Sequence, residues 1–437
     1  MGYSHCLLFF IRKQILLRIH REGRLPTVGI IVQKFGGSSV ATTNHIKHVA
    51  NKVISEVENG NQVVVVVSAM GKSTDLLLDM AKEISLKPTK RELDMLLSTG
   101  EQVTIALLTM TLQEAGYDAI SFTGWQAGIE TEAIHGNARI LDIDDGRIRK
   151  ALDEEKIVVV AGFQGITKNG EITTLGRGGS DTTAVALAAQ LNAERCDIYT
   201  DVPGVFTSDP RYVVNARKLD AITYDEMLEF AHLGAGVLHP RAVEYAKNYR
   251  IPLYVRSSKE DTEGTLIWEE AKMEQNLIVR GVAFEKDISR ITVSGIAKNE
   301  KALATIFTSL AEHNINVDII VQSSTGITPE SVSFSIKTDD LQEVRDVLEA
   351  NQSNIQFDHL EWESGLAKVS IIGSGMISNP GVAAKMFSVL AKEGIFVKMV
   401  STSEIKVSCV IDEVHMIKAA NILHEAYELD QVVELTK

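Results

Sequence analysis

Residues 63–67 are five consecutive valines, and few features restrict a fold more tightly. Side chains alternate between the faces of a strand, so an unbroken apolar run cannot be half solvated. The segment Val63–Ser68 therefore predicts a strand covered on both sides, as in a parallel sheet. Further strand candidates are Ile30–Gln33, Ile157–Ala161, Asp197–Thr200 and Pro252–Val255, several of them apolar at successive positions. Helical stretches such as the Ala- and Leu-rich Thr182–Leu191 lie between them. Such alternation predicts an α/β fold, a three-layer αβα sandwich over residues 28–270.

Each strand candidate ends in small or polar residues. These are Lys34-Phe35-Gly36-Gly37-Ser38-Ser39, then Ser68-Ala69-Met70-Gly71, then Gly162-Phe163-Gln164-Gly165, then Thr200-Asp201-Val202-Pro203-Gly204. Open α/β sheets bind ligands at the carboxyl ends of their strands, which is where these donor-rich segments fall.

The pattern changes near residue 285, where an internal repeat begins. Ala304, Phe307, Leu310, Ala311, Ile315 and Val317 recur as Ala384, Phe387, Leu390, Ala391, Ile395 and Val397, at a constant offset of 80. A strand precedes each copy of the helix, at Arg290–Ser294 and Lys368–Ile372. Two βαββαβ units result, expected over 285–362 and 365–437. The boundary with the sandwich is expected in the charged stretch Ser258–Gln275.

A chain of 437 residues needs two or three domains. Its net charge of −14 argues against a nucleic-acid partner, although a nucleotide pocket needs only local cations. The three cysteines, Cys6, Cys196 and Cys409, are far apart and form no disulfide or metal pattern, as expected in the cytoplasm. No continuous apolar run of spanning length stands out, so no membrane partner is expected. Residues 1–27 carry five Lys/Arg against one Glu, unlike the acidic remainder. We expect this extension not to be translated, with Val28 as the true start.

Two glycine-rich segments carry the chemistry. In Lys34-Phe35-Gly36-Gly37 the glycines let backbone N–H groups approach phosphate, and the lysine supplies positive charge. Gly176-Arg177-Gly178-Gly179-Ser180-Asp181 leads into a helix whose N-terminus favours an anion. Together they point to an anionic site. Gly71-Lys72-Ser73 resembles the end of a phosphate-binding P-loop, but Val66 stands where that motif requires glycine. Gly373-Ser374-Gly375 resembles a dinucleotide fingerprint, but its unit is too short.

The run Val32–Val40, with Ser98-Thr99-Gly100-Glu101, Ser121–Gly128, His135–Arg139, Thr173–Ala184, Tyr199–Arg211 and Ser401–Ile405, resembles the aspartokinases of the amino-acid kinase superfamily. The nearest likeness is to the monofunctional, lysine-sensitive type of Gram-positive bacteria, and it covers residues 28 to about 430. The resemblance implies transfer of the ATP γ-phosphate to the β-carboxylate of L-aspartate. That is the first step toward lysine, diaminopimelate, threonine and methionine. It assigns Lys34 and Asp181 to catalysis, with Lys34, Phe35, Gly36 and Gly37 at the ATP phosphates. Mg²⁺ would be held mainly by the nucleotide. Ser68, Thr74, Glu101, Arg177, Gly178, Gly179 and Ser180 would hold aspartate. Tyr199, Thr200, Asp201, Val205, Phe206, Thr207, Ser208, Asp209, Pro210 and Arg211 would line the nucleotide. Blander readings stand beside these: Glu101 as an exposed helix residue, Tyr199 as a core aromatic, Arg211 as a solvated surface charge. His135 and His239 read as structural. Many family members have a lysine where this chain has Gly236.

The repeats resemble ACT domains. By that resemblance Asn316, Val317, Asp318 and Gln322 in the first, and Ser374, Asn379, Pro380, Phe396, Val397, Ser403 and Glu404 in the second, are effector-binding candidates. Lysine is the expected effector, with threonine as a possible second. A homo-oligomer, or an α₂β₂ assembly with a tail subunit started internally at Met273, is expected. Two rival readings remain. A kinase of another small acid would not carry the tandem repeat. A non-catalytic amino-acid sensor would have no need of Lys34, Glu101, Arg177 and Asp181.

Overall fold

The computed structural model describes residues 29–233, 237–269, 278–296, 301–323 and 330–431. The 1–27 extension, Gly236 and Met273 lie outside the described residues. The chain divides into two compact units, one ending at Asp201 and the other beginning at Val202.

The first unit contains β1 (Ile30–Phe35), β2 (Gln62–Val67), β3 (Ala119–Phe122), β4 (Ile129–Thr131), β5 (Ile140–Ile143), β6 (Ile157–Ala161), β7 (Gln164–Ile166), β8 (Ile172–Thr174) and β9 (Arg195–Thr200). The order β9-β1-β2-β6-β3 is parallel throughout. The five valines of β2 are all buried. Val63, Val65 and Val67 pack beneath the helices Thr43–Glu58 and Thr99–Glu114. The helix Gly179–Leu191 lies against β1, β2 and β9 and is buried along nearly its whole length. A smaller sheet, β5-β4-β7-β8, sits apart from the main one in hydrogen bonding.

One helical stretch among the described residues, Lys90–Glu114, is long and apolar enough by length and composition alone to cross a bilayer. Its apolar residues are interspersed with Ser, Thr and Gln, so no unbroken run marks it. Half of its most apolar portion is buried, and the Thr99–Glu114 part packs on β3, β6 and the Thr43–Glu58 helix. It is a core helix.

The second unit contains β10 (Ala221–Thr223), β11 (Leu253–Ser257) and β12 (Thr265–Trp268), in the order β10-β12-β11. It also contains the repeats. Strands β13 (Gly281–Ile296), β14 (Ile320–Ser323), β15 (Glu330–Lys337), β16 (His359–Ile372), β17 (Met399–Thr402) and β18 (Lys406–Asp412) form one six-stranded sheet, ordered β14-β15-β13-β16-β18-β17. β13 and β16 are long antiparallel partners. Gly281–Glu285 pairs with Ile372–Lys368, and Arg290–Ser294 pairs with Glu363–His359. The repeats are therefore successive in sequence but share their two central strands. Val279 and Val282, which precede the first repeat, pack in the core of the second with Val369, Ile371 and Leu423.

Leu108 is fully buried between helix and sheet, whereas Met110 on the same helix is 61% exposed. Leu108→Ala should therefore cost roughly 2–5 kcal/mol of stability. Met110→Ala should stay within about 0.5 kcal/mol. Denaturant unfolding followed by circular dichroism measures both.

Candidate active site

Lys34 is the fifth residue of β1, and with parallel neighbours on both sides the residue is 9% exposed at the carboxyl end of the sheet. Its Nζ lies 2.5 Å from Asp181 Oδ1. Asp181 stands in the first turn of the helix Gly179–Leu191, whose cap, Gly178, has φ +67°. A side chain there would be strained, so glycine is required to turn the chain into the helix. Two charges held in so dry a place need each other: removing one partner would strand the other.

The Gly36-Gly37 turn is stitched to its neighbours by backbone hydrogen bonds. Gly36 N–H donates to the Tyr199 carbonyl at 3.3 Å, and Gly71 N–H donates to the Gly37 carbonyl at 3.0 Å. Ser68 follows β2 directly, its N–H donating to the Phe35 carbonyl at 3.1 Å. Thr74 is half-buried in the first turn of the helix Ser73–Ile84.

Glu101 is not an exposed helix residue. It is 3% exposed, and its Oε1 accepts the Ala69 N–H at 3.1 Å, one residue beyond Ser68. Its Oε2 is buried with no hydrogen-bond partner among the described residues. Burial pushes this carboxyl up to about 8, against the opposing pull of its backbone donors. A buried carboxylate oxygen with nothing to accept from is built to receive a donor, and a cationic one best.

On the second glycine-rich segment, Arg177 is exposed while Ser180 is buried. The helix start lies so close to the end of β6 that a Cβ on Gly162 would stand 2.7 Å from Ser180 Oγ. This segment is held by a residue the sequence did not disclose. Asp94, 1% exposed, accepts from His135 Nδ1 at 2.9 Å, Gly136 N–H at 3.0 Å and Thr174 Oγ1 at 2.6 Å. It fastens the 135–139 segment to the strand that ends two residues before Gly176. His135 is structural, as expected, and His239 caps the helix Pro240–Tyr249.

Tyr199, Thr200 and Asp201 close the first unit. The Tyr199 ring is 8% exposed and stacks on Phe35 with centroids 4.5 Å apart, so both rings belong to the core. Any nucleotide contact from these two residues is left to their backbones. Thr200 Oγ1 bonds Asp201, which is exposed. In the second unit Val205, Thr207 and Ser208 are buried, Phe206 is half-buried, and Pro210 and Arg211 are exposed. Arg211 grips Asp209 with Nη2 at 2.6 Å and holds that carboxyl below its usual value.

The effector candidates fall in several places. Asp318 bonds Lys368 of β16, which also pairs with Glu285 at 2.8 Å. Asn316 and Val317 adjoin Asp318 in the turn before β14, while Gln322 on β14 reaches Glu330. Ser374 donates through both N–H and Oγ to Glu226, at 2.9 and 2.8 Å. Glu226 is fully buried, forms the capping box of the helix Tyr224–His232, and faces Arg280 at 3.6 Å. Asn379 bonds the Gly375 carbonyl, Ser403 N–H donates to Lys406, and Pro380, Phe396 and Glu404 are exposed, with Val397 half-buried.

A parallel sheet bearing a lysine–aspartate pair and a buried carboxylate at its carboxyl end, followed by paired ACT units, defines an amino acid kinase with a regulatory tail. Residues 29–257 match the amino acid kinase family, and residues 291–352 and 369–427 match the ACT domain. The chain is 68% identical over 402 residues to an aspartokinase of Bacillus sp. (strain MGA3), covering 92% of this chain and 98% of that one. It is similar to E. coli aspartokinase III in complex with aspartate and ADP (R-state), with TM-score 0.77, 29% identity and coverage of 91% and 99%. The same enzyme in complex with lysine and aspartate (T-state) gives TM-score 0.72 and 30% identity, over 91% and 99%. The chain belongs to the aspartokinase family.

The raised Glu101 carboxyl also has a consequence for stability. Its folded value, about 8, lies above the ordinary 4.5, so between these the folded state holds a proton the unfolded chain has released. The penalty tied to its ionisation is therefore absent at pH 4 and grows as pH rises toward 8. Glu101→Gln should match wild type in urea midpoint at pH 4 and exceed it at pH 9. Equal midpoints at both would remove the buried charge from the account.

Proposed function

We propose that this chain is an aspartate kinase that transfers the γ-phosphate of ATP to the β-carboxylate of L-aspartate, giving 4-phospho-L-aspartate. The observation that carries the reading is the buried Glu101 carboxyl with its unpartnered oxygen, held against the end of β2 by the Ala69 N–H, in the same unit as the Lys34–Asp181 pair. A carboxylate nucleophile is ionised at neutral pH, so no general base is needed and catalysis rests on positioning and charge neutralisation. Lys34 neutralises charge developing on the transferring group, and Asp181 fixes the lysine's position. Glu101 receives the substrate ammonium. Arg177, reaching from its exposed turn, grips the α-carboxylate with help from Ser68, Thr74 and Ser180. Val205–Arg211 and Tyr199–Asp201 are the nucleotide segments. Among the described residues no group of three or more His, Cys, Asp or Glu side chains could hold a metal. Mg²⁺ is held mainly by the phosphates of the nucleotide.

Lysine acts as feedback effector at the ACT repeats, with Asp318 and the Ser374 turn as its polar contacts, and threonine as a second effector. Inhibition requires the effector to bind an inactive arrangement more tightly than the active one. The enzyme works in the cytoplasm as a homo-oligomer, or with a tail subunit begun at Met273. Cys196 and Cys409 are buried and free, with burial pushing the Cys409 thiol up to about 12.

ATP-dependent aspartyl hydroxamate formation tests the reaction. Lys34→Ala should lower kcat by about 10²–10³-fold, as loss of a charge-stabilising donor does. Lysine should suppress the wild type. Because Glu101 must ionise to receive an ammonium, KM for aspartate should rise as pH falls below about 8, approaching tenfold per unit. A flat KM profile between pH 6 and 9 would remove Glu101 from substrate binding.

A further inference from the structure

We infer that His424, on the last helix of the second ACT repeat, is a positioning residue for the nucleotide. The inference rests on the reading of Val205–Arg211 as a nucleotide segment. Thr207, within that segment, is completely buried, so its side chain serves the protein rather than a ligand. Its Oγ1 lies 2.8 Å from Nε2 of His424, itself 2% exposed on the helix Met416–Ala426. The same hydroxyl accepts the Arg217 N–H at 2.9 Å. Burial lowers the His424 pKa, so the imidazole is neutral and the pair is an ordinary hydrogen bond between uncharged groups.

The backbone is tied at the same point. The Thr207 carbonyl accepts the N–H of Val282 on β13 at 2.8 Å, and the Thr207 N–H donates to the Arg217 carbonyl at 2.8 Å. Gly281 has no room for a side chain, since a Cβ there would collide with the Thr207 carbonyl and stand 2.5 Å from Phe230. Just downstream, Asn421 of the same terminal helix donates to the Tyr212 carbonyl at 3.1 Å, and Tyr212 meets Phe284 edge-on with centroids 5.6 Å apart. The segment expected to hold the nucleotide is thus fastened to the first residues of β13 and to the helix Met416–Ala426. The second ACT repeat is then part of what shapes the nucleotide site, and a shift of that helix is felt there directly. Loss of the imidazole would leave a buried hydroxyl half-satisfied and free the segment to move.

Calorimetric titration with Mg-ADP and steady-state kinetics on the full-length enzyme test this. His424→Ala should weaken Mg-ADP binding and raise KM for ATP about tenfold, which is the worth of one buried hydrogen bond, while KM for aspartate stays unchanged. His424→Gln, which can place an amide near the Nε2 position, should recover most of the affinity. Thr207→Val should reproduce the alanine effect without adding to it in the double variant. Thermal unfolding of each variant checks that the fold is kept. Arg211→Ala, an exposed change within the segment, separates the two claims. If it raises KM for ATP while His424→Ala does not, the nucleotide reading stands and the role of His424 is overturned. If neither changes KM for ATP, both readings fall. Equal losses for ATP and aspartate would make His424 a general structural residue and overturn the inference.

Discussion

In the first unit all five strands of the main sheet point the same way, and the rest of its site follows from that. Parallel strands require crossovers, and crossovers bury the sheet on both faces, so the carboxyl edge is the natural place for polar groups. β1, β2 and β6 all end at this edge, with Lys34 on the last pleat of β1 and Ser68 and Gly162 immediately after β2 and β6. The edge is partly dry, which makes charge there expensive unless it is paired or waiting for a partner. Lys34 and Asp181 answer the first case and Glu101 the second.

Rigidity at this edge comes from residues that touch no reacting atom. Asp94 spends its carboxylate on three donors from two segments, and the Gly36–Gly37 turn is bonded to both Tyr199 and Gly71. A site that works by positioning needs such supports, because a misplaced lysine neutralises charge in the wrong place. The cost appears as the depressed acidity of the buried Glu101, tolerated because the surrounding core holds it in place.

Much of this was legible in the sequence, for identifiable reasons. The strand expected at Val63–Ser68 is Gln62–Val67, and Ile157–Ala161 matches its expected bounds, because continuous burial leaves an unbroken apolar run. The helix expected at Thr182 begins at Gly179, since Gly-Ser-Asp reads as loop although a left-handed cap lets it open a helix. β13 was visible only as Arg290–Ser294. Its first half is hidden by Glu285-Lys286-Asp287, where the register shifts and Asp287 adopts φ +60°. Asp94, Glu226 and His424 were not legible at all. Each looks like an ordinary polar helix residue, and its meaning comes from partners 41 to 217 positions away.

The shared strands of the repeats bear on regulation. Because β13 and β16 each serve both ACT units, the turn carrying Asp318 and the turn carrying Ser374 are connected through one continuous ladder rather than a flexible linker. Lys368 on β16 sits near one end of that connection, bonded to Asp318 and Glu285. At the other end, Ser374 and Arg280 converge on Glu226, a buried carboxylate capping the helix Tyr224–His232. A ligand that drew Asp318 away from Lys368 would leave a nearly buried ammonium with Glu285 as its remaining acidic partner there, a change of charge pairing on a strand that both repeats share. Packed sheets respond to such changes by shifting as units, not by bending locally. The fold therefore supplies a contiguous physical route from the repeat turns to the elements that hold Thr207 and Glu226.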